Sequence, residues 1–129
     1  IGASAGRVLQ GTQSVAIGTI AGNSSQGTNA VAIGFSAGSI TQGGSAVAIG
    51  NSAGAVNQGE NAIAIGRNAA TTNQGSQSIV INATGGAVEN TTADSCVVKP
   101  VRGELGFNLP DGFKQVAYNP TTGEFIYYD

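Results

Sequence analysis

Ala46-Val47-Ala48-Ile49-Gly50-Asn51-Ser52-Ala53-Gly54-Ala55-Val56-Asn57-Gln58-Gly59 is the stretch on which the fold turns. It starts with a short apolar run closed by glycine and ends with a Gln-Gly pair, and both features return at a fixed step. Isoleucine stands at Ile1, Ile17, Ile33, Ile49, Ile65 and Ile81, always 16 residues apart, followed by Gly2, Gly18, Gly34, Gly50 and Gly66 and then by Asn82. Gln10-Gly11, Gln26-Gly27, Gln42-Gly43, Gln58-Gly59 and Gln74-Gly75 keep the same step. A constant period marks a stack of identical supersecondary units, each able to bury its apolar face only against its neighbours.

The unit is too short for two helices, and interior glycine costs a helix about 1 kcal/mol per site. Strands remain. Val15-Ala16-Ile17 and its equivalents alternate with period two, and Gly18, Gly34, Gly50 and Gly66 close each run where a turn needs positive φ. The predicted fold is therefore all-β: a parallel β-solenoid, or β-roll, whose rungs stack about 4.8 Å apart with Ile over Ile and Gln over Gln. Hydrophobic burial places the larger side chains inside. The expected core ladder is Val15, Ile17, Val31, Ile33, Val47, Ile49, Ile63, Ile65, Ile79 and Ile81. Ala16, Ala32, Ala48 and Ala64 then form a small apolar outer row, the expected interface with other subunits. Gln26, Gln42, Gln58 and Gln74 are expected among the exposed residues, where stacked amides bond along the axis without the repulsion of stacked charges.

Composition excludes many functions. Of 129 residues 21 are Gly and only 9% are charged; His, Met and Trp are missing and there is one Cys. That removes imidazole bases, zinc clusters and any intrachain disulfide, and predicts no cofactor and no metal. Five Lys+Arg and a net charge of −2 argue against nucleic acid as a partner. No apolar run reaches bilayer-spanning length, so membrane insertion is not expected. Without an initiator Met or a leader at Ile1, the chain reads as a fragment or processed product.

Repeated A-V-A-I-G, A-G and Q-G over residues 1 to about 86 resembles the head repeats of YadA-like trimeric autotransporter adhesins. That likeness implies a left-handed parallel β-roll in a homotrimer. The unit is longer than the adhesin one between Ala-Gly and Gln-Gly. In that longer form, ending in Ser78-Ile79-Val80-Ile81-Asn82-Ala83-Thr84-Gly85, it is similar to fibre proteins of large DNA viruses and bacteriophages.

Composition shifts after residue 88: nine of the twelve charged residues lie between Glu89 and Asp129. This divides the chain into a repeat domain, 1–88, and a β-rich C-terminal cap, 89–129, with residues 82–94 as terminating rung and linker. Cys96–Arg102 is a strand candidate, placed at an edge by Pro100. Gln115–Tyr118 and Glu124–Tyr128 flank Asn119-Pro120-Thr121-Thr122-Gly123 and predict a hairpin. Aromatics such as Phe107, Phe113 and Phe125 suit a cap over the last rung. By resemblance to viral fibres, the V-K-P-V-R run and the hairpin precede a self-cleaving assembly chaperone.

Chemistry is thinly represented. Cys96 has Lys99 and Arg102 nearby but no general base, so it reads as a small structural thiol. Glu89, Asp94, Glu104 and Asp111 show no spacing that singles out an acid and base for glycan hydrolysis. The Gly-rich pattern lacks the Lys-Ser/Thr of a phosphate loop and the Asp of calcium-binding rolls. The expected protein is a non-enzymatic extracellular fibre segment of a virus or phage, on the virion surface, partnered by itself and by a cell-surface receptor or glycan. A bacterial adhesin head and a filament subunit stacking end to end are the alternatives.

Overall fold

The structure is a computed structural model and describes residues 1–100, 115–119 and 124–128. Residues 1–100 wind into a β-solenoid whose coils put short strands into two parallel sheets. The smaller sheet has four strands, β1 (Val8–Gln10), β3 (Ser24–Gln26), β5 (Ile40–Gln42) and β7 (Val56–Gln58), stacked in that order. The larger has six: β2 (Val15–Ile17), β4 (Val31–Ile33), β6 (Val47–Ile49), β8 (Ile63–Ile65), β9 (Ile79–Asn82) and β10 (Cys96–Lys99). Register follows the period: Ala16 pairs with Ala32, Ala32 with Ala48, Ala48 with Ala64, and Ala64 with Val80. Equivalent residues occupy equivalent places, as expected for a solenoid.

Two corner devices make so tight a coil possible. At Gly34, φ is +127°, and an added Cβ would sit 2.6 Å from the carbonyl oxygen of Gly50 one coil on, so both conformation and space demand glycine. At Gly27 φ is unremarkable, but an added Cβ would lie 2.5 Å from the amide nitrogen of Gly44, too close for any side chain. Other corners use small polar residues in the left-handed region, such as Ser36, Ser52 and Asn68. There the peptide turns over and its N–H donates backward, Ser36 to Thr19 O at 3.0 Å and Ser52 to Phe35 O at 2.8 Å.

Backbone pairing does not stop at residue 88, where composition shifts. β10 pairs in parallel with β9, Cys96 beside Ile79 and Lys99 beside Asn82, and Ala83 N–H donates to Lys99 O at 2.8 Å. Residues 88–99 therefore form another rung, where the sequence suggested a linker. Asn82 marks the irregular corner without ending the stack. Its buried amide donates to Arg67 O at 2.8 Å and Gly86 O at 2.6 Å, while its oxygen accepts from Thr84 N–H at 3.0 Å. The expected edge strand is present as β10. The expected hairpin is also present: β11 (Gln115–Asn119) and β12 (Glu124–Tyr128) pair antiparallel, with Asn119 opposite Glu124. Its connecting residues 120–123, and Phe107 and Phe113, lie outside the described residues.

Candidate functional site

The facing of the Val-Ala-Ile strand is the reverse of the sequence expectation. Ala32, Ala48 and Ala64 have no exposed surface and Ala16 has 7%, whereas Val15 and Ile17 are each 39% exposed. Ala16, Ala32, Ala48 and Ala64 thus belong to the core, and the Val and Ile predicted for the core point outward. Ala21, Ala37, Ala53 and Ala69 complete the interior from the neighbouring corner. The physical reason is cross-section. A 16-residue coil leaves room for methyl groups between its sheets, and its remaining interior is already occupied by a glutamine from each coil.

Those glutamines were expected outside. Gln26, Gln42, Gln58 and Gln74 are almost wholly buried. Gln42 shows the pattern: its Nε2 donates to Val31 O at 2.9 Å and to Oε1 of Gln58 at 3.1 Å, and its own Oε1 accepts from Gln26 Nε2 at 3.1 Å. Both amide hydrogens and the acceptor are used, which is the condition for burying an amide without a large penalty. The expected amide stacking is present, inside the coil. In the last rung Asn90 takes the glutamine place, and Gly75 N–H donates to its carbonyl at 2.9 Å. Its side chain, one methylene shorter, accepts instead from Ser95 Oγ at 3.0 Å.

Turning alanine inward leaves two straight aliphatic columns on the outer face of the six-stranded sheet. Val15, Val31, Val47, Ile63 and Ile79 form one, continued by Cys96; Ile17, Ile33, Ile49, Ile65 and Ile81 form the other, continued by Val98. Six rungs at about 4.8 Å give the strip a length of about 24 Å. The four-stranded sheet has no unbroken apolar column: its middle positions read Leu9, Ser25, Thr41 and Asn57, with Asn57 Nδ2 donating to Asn73 Oδ1 at 3.0 Å, and its first positions, Val8, Ser24, Ile40 and Val56, are interrupted by Ser24. A contiguous apolar strip of this regularity is the signature of an interaction face, since soluble surfaces seldom carry one otherwise. Period two places these residues together on one side of each strand, and the width of the coil turns that side outward.

Residues considered for chemistry are dispersed. Cys96 is a free, exposed thiol on β10, at the end of the valine column. Glu89 turns towards Thr71 and Thr72 and accepts hydrogen bonds from the Thr71 hydroxyl and the Thr72 N–H. Among the described residues no three His, Cys, Asp or Glu side chains converge as metal ligands, and no helix is long and apolar enough to cross a membrane. Glu104 and Asp111 lie outside the described residues. The sequence has Asn-x-Ser/Thr triplets at Asn23, Asn82 and Asn90, and the asparagines of the last two are buried. Comparison with known proteins returned no match to a family model, a curated protein or a solved structure.

Proposed function

We propose that the chain is a structural, non-enzymatic segment of an extracellular fibre of a virus or phage, assembled as a homotrimer through the outer face of its six-stranded sheet. One observation carries the reading: the two unbroken Val/Ile columns, on a coil whose other exposed apolar residues, such as Leu9, Phe35 and Ile40, form no continuous column. Each β-branched side chain withdrawn from water contributes on the order of 1 kcal/mol when already half buried, and ten of them along one straight strip act together. A stack of identical rungs is stiff along its axis, which suits a part whose task is extension. Three copies around an axis give each strip a neighbour on both flanks and close the assembly. In this reading the C-terminal hairpin belongs to a cap, and contact with a host receptor or glycan falls on that charged and aromatic portion.

Native mass spectrometry tests the assembly. The expected mass is three chains, and a lone chain at micromolar concentration would overturn the homotrimer. Glycan arrays test the attachment role: binding, where found, maps to residues 89–129, and binding retained by residues 1–80 alone would count against it.

A further inference from the structure

The two sheets end differently, and the difference lies in one side chain. In successive coils of the four-stranded sheet, the first strand N–H donates to the carbonyl fifteen residues on: Val8 to Asn23, Ser24 to Ser39 and Ile40 to Ala55, each at 2.9 Å, and Val56 to Thr71 at 3.0 Å. The same pattern would pair Thr72 with the carbonyl of Ala87. Instead Thr72 N–H donates to Oε2 of Glu89 at 2.9 Å, and Thr71 Oγ1 donates to Oε1 of the same carboxylate.

The chain geometry explains how Glu89 comes to be there. Ala70 N–H donates to Val88 O at 2.7 Å and Gly75 N–H donates to Asn90 O at 2.9 Å. Val88 thus takes the place of Ala69 and Asn90 that of Gln74, so Glu89 alone spans the place that Ala70, Thr71, Thr72 and Asn73 fill in the coil before. The residues removed from this face reappear at the preceding corner as the extra length around Gly85-Gly86, where Asn68 Nδ2 donates to Gly85 O at 2.9 Å. Among the described residues no strand follows β7 on this side, so the coil of residues 88–99 pairs on the six-stranded side and presents a carboxylate on the other.

We infer that Glu89 is a strand-mimicking stop: its carboxylate occupies the acceptor positions of the next rung at Thr71–Thr72 and so prevents a second copy of this chain from extending the four-stranded sheet. A parallel edge with free N–H groups is a template for strand addition. The carboxylate satisfies the edge with a charge-assisted bond, and its charge, which no cation meets among the described residues, opposes any approaching strand that would have to bury it. The inference depends on the coil alone and stands whether or not the fibre reading does.

Amide hydrogen exchange and sedimentation velocity test it together on the whole chain. In the wild type the Thr72 amide should be protected to a degree comparable with Val56; exchange as fast as an open amide would overturn the assignment. Glu89→Ala should speed Thr72 exchange roughly tenfold, the loss of one hydrogen bond to a charged group, and should add concentration-dependent species heavier than the wild-type assembly. Glu89→Gln keeps an acceptor for Thr72 and should remain closer to wild type in exchange. Glu60→Ala, which removes an exposed carboxylate elsewhere on the coil, should change neither reading. Faster Thr72 exchange without heavier species would overturn the blocking role, as would heavier species formed equally by Glu60→Ala.

Discussion

The two sheets of the coil are made of the same number of residues per rung, wound by the same corners, yet their outer faces differ. On the six-stranded side β2, β4, β6 and β8 each present two β-branched aliphatic residues outward and one alanine inward, and β9 keeps Ile79 and Ile81 outward while turning Val80 and Asn82 inward. On the four-stranded side Leu9, Ser25, Thr41 and Asn57 follow one another in the same position while Gln26, Gln42 and Gln58 hold the inside. Inward positions vary little, alanine giving way to Val80 in β9 and glutamine to Asn90 in the following rung, because the coil leaves little room between its sheets. Outward positions are free to differ, so constancy there on one sheet calls for a cause outside the coil, which the proposed subunit contact would supply.

The largest effect should come from crossing that divide from the inside. Ala48 lies within the coil between Ala32 and Ala64, with no exposed surface. Ala48→Glu would bury a carboxylate with neither room nor partner, a change that costs more than a small domain's whole stability. The expected result is loss of the β-sheet circular dichroism signal, not merely loss of assembly; a folded monomer would return alanine to the interface role the sequence first suggested. Second in size is Gln42→Ala. It strands Gln58 Oε1, Val31 O and one hydrogen of Gln26 Nε2, and at 1 to 3 kcal/mol per orphaned group the cost is about 3 kcal/mol or more. Thermal melting should show it as a fall in Tm of roughly 10 °C or more.

These two sites also show what could be read without coordinates. The 16-residue step fixed the solenoid, the Val-Ala-Ile strand of each coil and the rung register, because a strict repeat obliges equal residues to take equal places. The hairpin was legible from its turn residues and flanking alternation. Facing was not, because period two says only that Val and Ile share one side and Ala the other. Preference for burying the larger side chain chose wrongly, since the width of the coil overrides it. Gln42 was misplaced for a related reason: amides are normally outside, and only a column of them, each satisfying the next, makes the inside tolerable. Continuation past residue 88 was hidden because Glu89 and the Gly85-Gly86 corner break the period while backbone pairing carries on through β10.

On the outer face the expected effects are on association. Val47→Ser with Ile49→Ser removes apolar surface from both columns at mid-strip and leaves the alanine and glutamine interior untouched. The chain should fold with unchanged circular dichroism and lose its assembled mass, shifting to single chains at concentrations where the wild type stays associated. Retention of full assembly by this double variant would show that the strip is not the contact surface.

The smallest effect should fall on the other sheet. Asn57 is exposed on β7 and its side chain donates to Asn73 one rung on. In water such a bond competes with solvent, so Asn57→Ser should lower stability by less than about 0.5 kcal/mol. Mass, melting temperature and circular dichroism should all match the wild type within that margin. An assembly defect here equal to that of the Val47/Ile49 variant would erase the distinction between the two faces, because it would mean that polar and aliphatic columns serve association alike. A silent Asn57→Ser beside a dissociated Val47/Ile49 variant would instead confine the partner surface to the six-stranded sheet, with only two positions per rung to account for it.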